Sequence, residues 1–206
     1  IPENHRPLDI RKDFTLLDIT GWTASQLHEQ LDKDEILFEL PARVFDIDFP
    51  GHYLRRLERI TLAFEIPGPG SPKPISAMLY QTSNKVLLEA DIEGARHLYS
   101  ASQGSPKHVL RDLRPNQSIA LWSVKEVSRN FDLQPSVPDK ARYQPFEGTG
   151  LISRWRLAFP GGARNNPEFY RDNECRLKDI TITLSYSAVG GPTPFRGEVK
   201  QRLPGE

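Results

Sequence analysis

The chain has 206 residues, which is enough for one large domain or two small ones. Its 27 lysines and arginines balance 27 aspartates and glutamates, so the formal net charge is zero. This balance argues against a protein that binds nucleic acid or an anionic membrane, because such proteins usually carry a basic excess. The 37% of hydrophobic residues, the 18 prolines and the 14 glycines predict a lean core with extensive loops.

The single cysteine, Cys175, excludes an internal disulfide, so stability must come from the core. No apolar run reaches the roughly 18–20 residues that span a bilayer, and we expect no membrane insertion by this chain. The first residues contain no signal-peptide core. Because the chain does not begin with methionine, we expect it to be a piece of a longer protein.

The N-terminal part of the chain mixes an irregular segment with one helix. Residues 1–13 are polar and contain prolines, which predicts an arm or linker. The apolar run at residues 14–19 predicts a strand. Thr23 is suited to cap a short helix over residues 24–33, in which two leucines four positions apart share one face.

The clearest pattern in the remainder is alternation of apolar and polar residues, which is typical of half-buried strands. It is strongest at residues 57–66, and the next segment, 67–74, holds four prolines and two glycines and must be a loop. Residues 90–115 show no assignable pattern, and residues 190–206 are expected to form a tail. Further strands are predicted at residues 36–40, 75–79, 118–126, 131–133, 150–159 and 179–186, the third and fourth forming a hairpin.

These elements predict a mainly β protein: an antiparallel β-sandwich over residues 14–189 with one short helix near the N-terminus. A parallel α/β fold is disfavoured, because no helical stretches of the needed length separate the strands.

Motifs for enzymatic chemistry are missing from the sequence. Signatures of α/β-hydrolases, P-loops and dinucleotide sites do not occur, so we expect no catalytic residues and no cofactor. The histidines lack zinc-ligand spacing, which predicts no metal site. They are His5, His28, His52, His97 and His108.

One unusual stretch is residues 45–57, FDIDFPGHYLRRL. A Pro-Gly turn separates acidic from basic groups and can fold the acids back towards the arginines. The two acids can also be interpreted as a carboxylate pair for glycoside chemistry or as part of a calcium loop, but neither pattern is specific. The residues concerned are Asp46, Asp48, Pro50, Gly51, His52, Tyr53, Arg55 and Arg56.

A second stretch, residues 145–157, reads PFEGTGLISRWRL. Gly148 and Gly150 permit a positive φ before a strand, and the bulk of Trp155 favours a place in the core. Glu147 is a further acid. We predict that Arg55 or Arg56 pairs with Asp46, Asp48 or Glu147, because arginine can hold a carboxylate through two parallel hydrogen bonds.

Together with DITITLSYSA at residues 179–188, these stretches resemble, in order and separation, the C-terminal domain of the A component of Tc toxins, which are insecticidal toxin complexes. The resemblance covers most of residues 14–188. It implies a non-enzymatic domain that binds the B component, TcB. It further implies a homopentameric parent with a translocation channel, secreted as part of a virulence toxin.

In that family, TcB and TcC form a cocoon around a toxic enzyme, and a β-propeller in TcB closes it. The resemblance implies that this domain docks on the propeller so that the cargo enters the channel. The residues of the two stretches are then candidates for partner contact or for the fold alone. An isolated domain is expected to be monomeric, since the resemblance places the pentamer contacts elsewhere.

A different class of function remains open, because β-sandwiches serve many roles. The same motifs can support only the fold of a module that binds carbohydrate or another surface ligand. Such a module needs exposed aromatic side chains, whereas Trp22, Trp122 and Trp155 lie in segments with a partly buried pattern.

Overall fold

The computed structural model of the chain describes residues 6–68, 75–115, 117–123, 130–135 and 145–201. Helices in these residues are α1 (Leu16–Thr20), α2 (Ala24–Leu31), α3 (Ala42–Asp46), α4 (Ile92–Tyr99) and α5 (Thr193–Gln201). The strands are β1 (Leu8–Thr15), β2 (Glu35–Leu40), β3 (His52–Glu65), β4 (Ser76–Leu87), β5 (Val109–Arg111), β6 (Ser118–Ser123), β7 (Asn130–Pro135), β8 (Ile152–Ala158), β9 (Tyr170–Arg171), β10 (Glu174–Cys175) and β11 (Asp179–Gly190).

The main sheet is antiparallel, with strand order β1-β11-β3-β7-β6-β4-β8-β2 and β5 paired to β4. Strands β9 and β10 form a separate small ladder. Side chains from both ends of the long sheet meet in one hydrophobic core, as the two layers of a sandwich do. The predicted mainly β, antiparallel class is therefore confirmed, and a main core shared by both ends of the sheet agrees with a sandwich.

Alternation in sequence explains the central strand β11. Ile180, Ile182, Leu184 and Tyr186 are at most 2% exposed, whereas the threonines and serines between them face the other way. The same strand pairs with β3 on one side and β1 on the other. A strand buried on one face in this manner fixes its register, because a slip of one residue would turn the apolar set to solvent.

The N-terminal boundary differs from the prediction. Residues 8–13, expected in an arm, belong to β1, whose Ile10 and Phe14 lie opposite residues of β11. Lys12 takes the position between Ile10 and Phe14 on the same face and interrupts the apolar alternation in the sequence. The strand also ends at Thr15 instead of continuing to residue 19, because the Thr15 side chain accepts a hydrogen bond from Asp18 N and begins α1.

The predicted helix after Thr23 is present and ends at Leu31, two residues earlier than expected. Thr23 and Gln26 form a capping box, in which each side chain binds the other residue's main-chain N–H. The other helices are additional to the prediction. Among them, α5 occupies part of the expected tail, where buried Phe195 and Val199 form a second apolar cluster with residues of β4 and α4.

The remaining strand predictions are largely confirmed, with β3 and β4 longer than expected. The hairpin of β6 and β7 is present, although residues 124–129 between the two strands lie outside the described residues, as do residues 69–74 of the loop predicted at 67–74. Residues 90–115 contain α4, a 3-10 turn at Pro106–His108 and β5. Within the described part of the chain, no helix is long and apolar enough to cross a bilayer.

Candidate functional site

The first motif forms a corner where α3 turns into β3. Asp46 ends α3 and is 3% exposed, and its carboxylate accepts three hydrogen bonds. Oδ1 accepts from Arg55 Nη2 at 2.6 Å and from Gly51 N at 3.3 Å, while Oδ2 accepts from the hydroxyl of Tyr99 in α4 at 2.6 Å. One buried carboxylate therefore joins α3, the turn, β3 and α4.

The pairing of Asp46 with Arg55 confirms the predicted ion pair. Arg55 is 5% exposed, and its Nη2 also donates to Phe49 O at 2.9 Å. Its guanidinium lies 5.9 Å from the centre of the Phe45 ring. Because both charges are buried, they hold the corner from inside and are not available to a partner at the surface.

Burial sets the protonation of two neutral groups beside this pair. Desolvation, together with the adjacent Asp46 carboxylate, holds the pKa of Tyr99 well above its usual range, so the phenol stays a donor. Desolvation and the nearby Arg55 charge lower the pKa of His52. The His52 ring stacks on Phe49, with ring centres 5.2 Å apart.

The second motif lies directly against the first. Arg56 and Gly150 face each other in an antiparallel bridge, and Arg56 Nη1 donates to Gly148 O at 3.4 Å. Main-chain bonds from Leu57 N to Thr149 O (2.9 Å) and from Gly148 N to Leu57 O (2.7 Å) extend this contact. The structure thus brings together two stretches that are about ninety residues apart in the sequence.

A buried amide supports this junction, and sequence reasoning missed it. Asn84 is 2% exposed, and its Oδ1 accepts from Gly150 N at 2.9 Å and from Leu113 N at 3.1 Å. A Cβ at Gly150 would lie 2.4 Å from Lys85 O, so the close approach of β4 requires glycine. Nothing in the local sequence of β4 distinguishes Asn84 from a surface residue.

Gly148 and Trp155 of the second motif serve the fold. Gly148 has φ +78°, and Trp155 is 1% exposed with its ring edge-on to Phe146 at 4.9 Å. The indole Nε1 donates to Ser153 Oγ at 2.8 Å. Glu147 is exposed, and its main-chain carbonyl accepts from Arg114 Nη1 at 2.9 Å.

Asp48 and Tyr53 lie towards the edges of the corner. Asp48 is half exposed and forms an ion pair with Lys12 of β1, whose ammonium also donates to Val44 O at 2.7 Å. Tyr53 is half-buried against the apolar cluster of α4 and α5.

Two further residues that sequence reasoning missed are apolar and exposed, although the Phe49 ring also stacks on His52. Ile47 is 67% exposed and Phe49 is 37% exposed, on either side of Asp48. Their position next to the Pro50-Gly51 turn is the only sequence signal that could have indicated exposure. The motif thus combines an internal ionic brace with exposed apolar side chains.

No group of three or more potential metal ligands occurs within the described ranges.

Comparison with known proteins gives a family for this arrangement. A family model described as the Tc toxin complex TcA C-terminal TcB-binding domain matches residues 1–188. Toxin subunit YenA2 of Yersinia entomophaga is 28% identical over 206 residues, which is 98% of this chain and 14% of that protein. The chain therefore spans about a seventh of the length of this relative.

Among solved structures, a chain of the Mud crab tombus-like virus is similar at 8% identity and a TM-score of 0.36, covering 93% of this chain and 92% of that one. The family model is the informative match, because it includes the corner, the bridge between the motifs and nearly all of β11. The chain belongs to the family of TcA C-terminal TcB-binding domains.

Proposed function

We propose that this chain docks onto the β-propeller of TcB in a TcB–TcC complex, so that the toxin cargo can enter the translocation channel of a TcA homopentamer. The observation that carries the proposal is the family match over residues 1–188, since the family is described by its binding to TcB. In this role the domain is not an enzyme and acts outside the producing cell as part of a secreted toxin.

The geometry supports a binding module. The ionisable groups at the centre of the site, Asp46 and Arg55, are buried and already paired, so neither is free to exchange a proton with a substrate. The corner that they brace is rigid on its inside and exposed on its outside. A rigid scaffold that presents an exposed turn is a common arrangement for binding.

Binding is expected to depend on the number of copies displayed. The 206-residue chain alone should be monomeric in sedimentation experiments and bind TcB–TcC weakly. Five copies on an unrelated pentameric scaffold should bind far more tightly, because linking raises the effective concentration for the second and later contacts. The avidity can then exceed the affinity of one copy by up to about 10²–10⁴. Surface plasmon resonance of both forms against the cognate TcB–TcC pair measures the difference.

Each outcome of this experiment tests a different part of the proposal. Equal affinity of the two forms would contradict the role of multivalency. Absence of binding by both forms would contradict docking on TcB and favour a module for carbohydrate or another surface ligand. Of the two tryptophans whose side chains are described, Trp155 is buried and Trp22 is half-buried, so neither offers a fully exposed ring to that alternative.

A further inference from the structure

The exposed apolar side chains of this protein are not scattered evenly. Among the described residues, the large hydrophobic ones that are exposed are Leu8, Leu37, Ile47, Phe49 and Leu110. Ile47 is the most exposed of them at 67%, and Phe49 lies two residues further in the same turn. The corner therefore concentrates exposed apolar surface in a segment of three residues.

The brace holds this segment in one conformation. Ile47 N donates to Arg43 O at 3.2 Å, and Phe49 N donates to Phe45 O at 3.2 Å. Phe49 O accepts from Arg55 Nη2, while the carboxylate of Asp46 binds Gly51 N at the far end of the turn. Both ends of residues 47–50 are thus tied to one buried ion pair, so little conformational entropy remains to be lost on binding.

The charge around the segment indicates what kind of surface fits it. Asp48, between the two apolar residues, is paired with Lys12, and this pair contributes no net charge. Burying apolar side chains inside a polar rim is typical of the centre of a protein–protein interface. The exposed Arg43, whose main-chain carbonyl accepts from Ile47 N, adds a positive charge to this rim.

We infer that Ile47 and Phe49 are the central contact of this domain with TcB and insert into an apolar pocket on that protein. The inference rests on the proposed function, because TcB is the partner named in the description of the family. In this arrangement Asp46, Arg55 and Tyr99 are positioning residues, and the Asp48–Lys12 pair forms part of the rim.

The test uses single substitutions in the chain displayed on a pentameric scaffold, with binding to the cognate TcB–TcC pair measured by biolayer interferometry. Ile47→Ser and Phe49→Ser should each weaken binding about tenfold or more, as expected when an interface centre loses an apolar contact. Leu37→Ser and Leu110→Ser are matched controls, because these residues are 50% and 36% exposed and lie on β2 and β5. The controls should bind like the unsubstituted chain.

The possible failures can be told apart. If the unsubstituted chain binds and both corner variants bind equally well, the corner is not the contact, although docking on TcB stands. Equal weakening by the controls would also overturn the inference. If the unsubstituted chain does not bind, the proposed function itself fails. A thermal melt identifies misfolding, and if Phe49→Ser is unstable then Ile47→Ser, at a more exposed position, decides.

Discussion

At the scale of single residues, the corner depends on a charge that is buried and paired. Removing a charge from water is costly, and attraction to an opposite charge repays the cost only when geometry and additional hydrogen bonds are good. Asp46 fulfils this condition with three donors, one of them from Arg55. Asp46 lies inside the corner whereas Asp48, two residues later, is half exposed, so identical residue types have different roles in one motif.

Substitution of these two acids should therefore have unequal effects on stability. Asp46→Ala should lower the free energy of unfolding by about 3–5 kcal/mol, because it leaves Arg55 buried without a counterion. Asp48→Ala should change it by about 1 kcal/mol or less, since its ion pair with Lys12 is partly exposed to water. Urea unfolding followed by circular dichroism measures both. Equal destabilisation would show that the Asp46–Arg55 pair is not the brace.

At the scale of elements, the corner is also the surface against which α5 packs. Gly51 has φ +71°, a conformation that glycine adopts without strain, and a Cβ there would lie 2.8 Å from the Cα of Arg196 in α5. Gly191 N donates to Gly51 O at 3.1 Å, and this bond fixes the chain to the turn two residues before α5 begins. The Pro-Gly turn thus has two purposes: it reverses the chain into β3, and it leaves room for the last helix.

Comparing Gly51→Ala with Gly148→Ala separates the need for a left-handed backbone from the need for space beside α5. Gly148 has φ +78° and no atom within 4 Å of the position that a Cβ would occupy. Its substitution should therefore cost only the strain of a left-handed backbone, about 1–2 kcal/mol. Gly51→Ala should cost more and displace α5. Hydrogen exchange should show faster exchange in α5 for Gly51→Ala alone. Similar exchange in both variants would contradict the packing of α5 on the turn.

At the scale of the whole molecule, the described residues divide into a main core and a satellite cluster. The main core joins both ends of the long sheet, whereas the satellite holds Leu87, Ala95, Phe195 and Val199 under α4 and α5. Because a cooperative domain unfolds as a unit through its largest core, residues of the main core should control global stability.

The substitution Trp155→Ala tests whether the main core determines global stability. It removes the ring that contacts Phe146 and stacks on Phe38, with ring centres 6.4 Å apart in the second pair. The expected loss is about 3–5 kcal/mol, the usual range for emptying a large aromatic site in a core. The melting temperature, followed by circular dichroism, provides the measurement. A variant that melts at nearly the same temperature as the parent chain would place Trp155 outside the main core.

Much of the fold follows from periodicity in the sequence. Residues 57–66 and 179–186 alternate so regularly that one face must be buried, and the structure has β3 and β11 there. The cap at Thr23 and the turn at Gly51 are also local, since each depends on residues within a few positions. The ion pair of Arg55 could be predicted because its partner lies nine residues away across that turn.

Contacts between distant segments were decided only by the tertiary structure. β1 exists because β11 offers it an open edge, and α5 exists because an apolar cluster of β4 and α4 receives Phe195 and Val199. Asn84 and Tyr99 become site residues only when β4 and α4 reach the two motifs. Likewise, Asp46 is buried and Ile47 exposed because α4 packs on one side of the corner and not the other. Burial is a property of the packed chain, so neighbouring residues of a motif can be separated into interior and surface only by the fold.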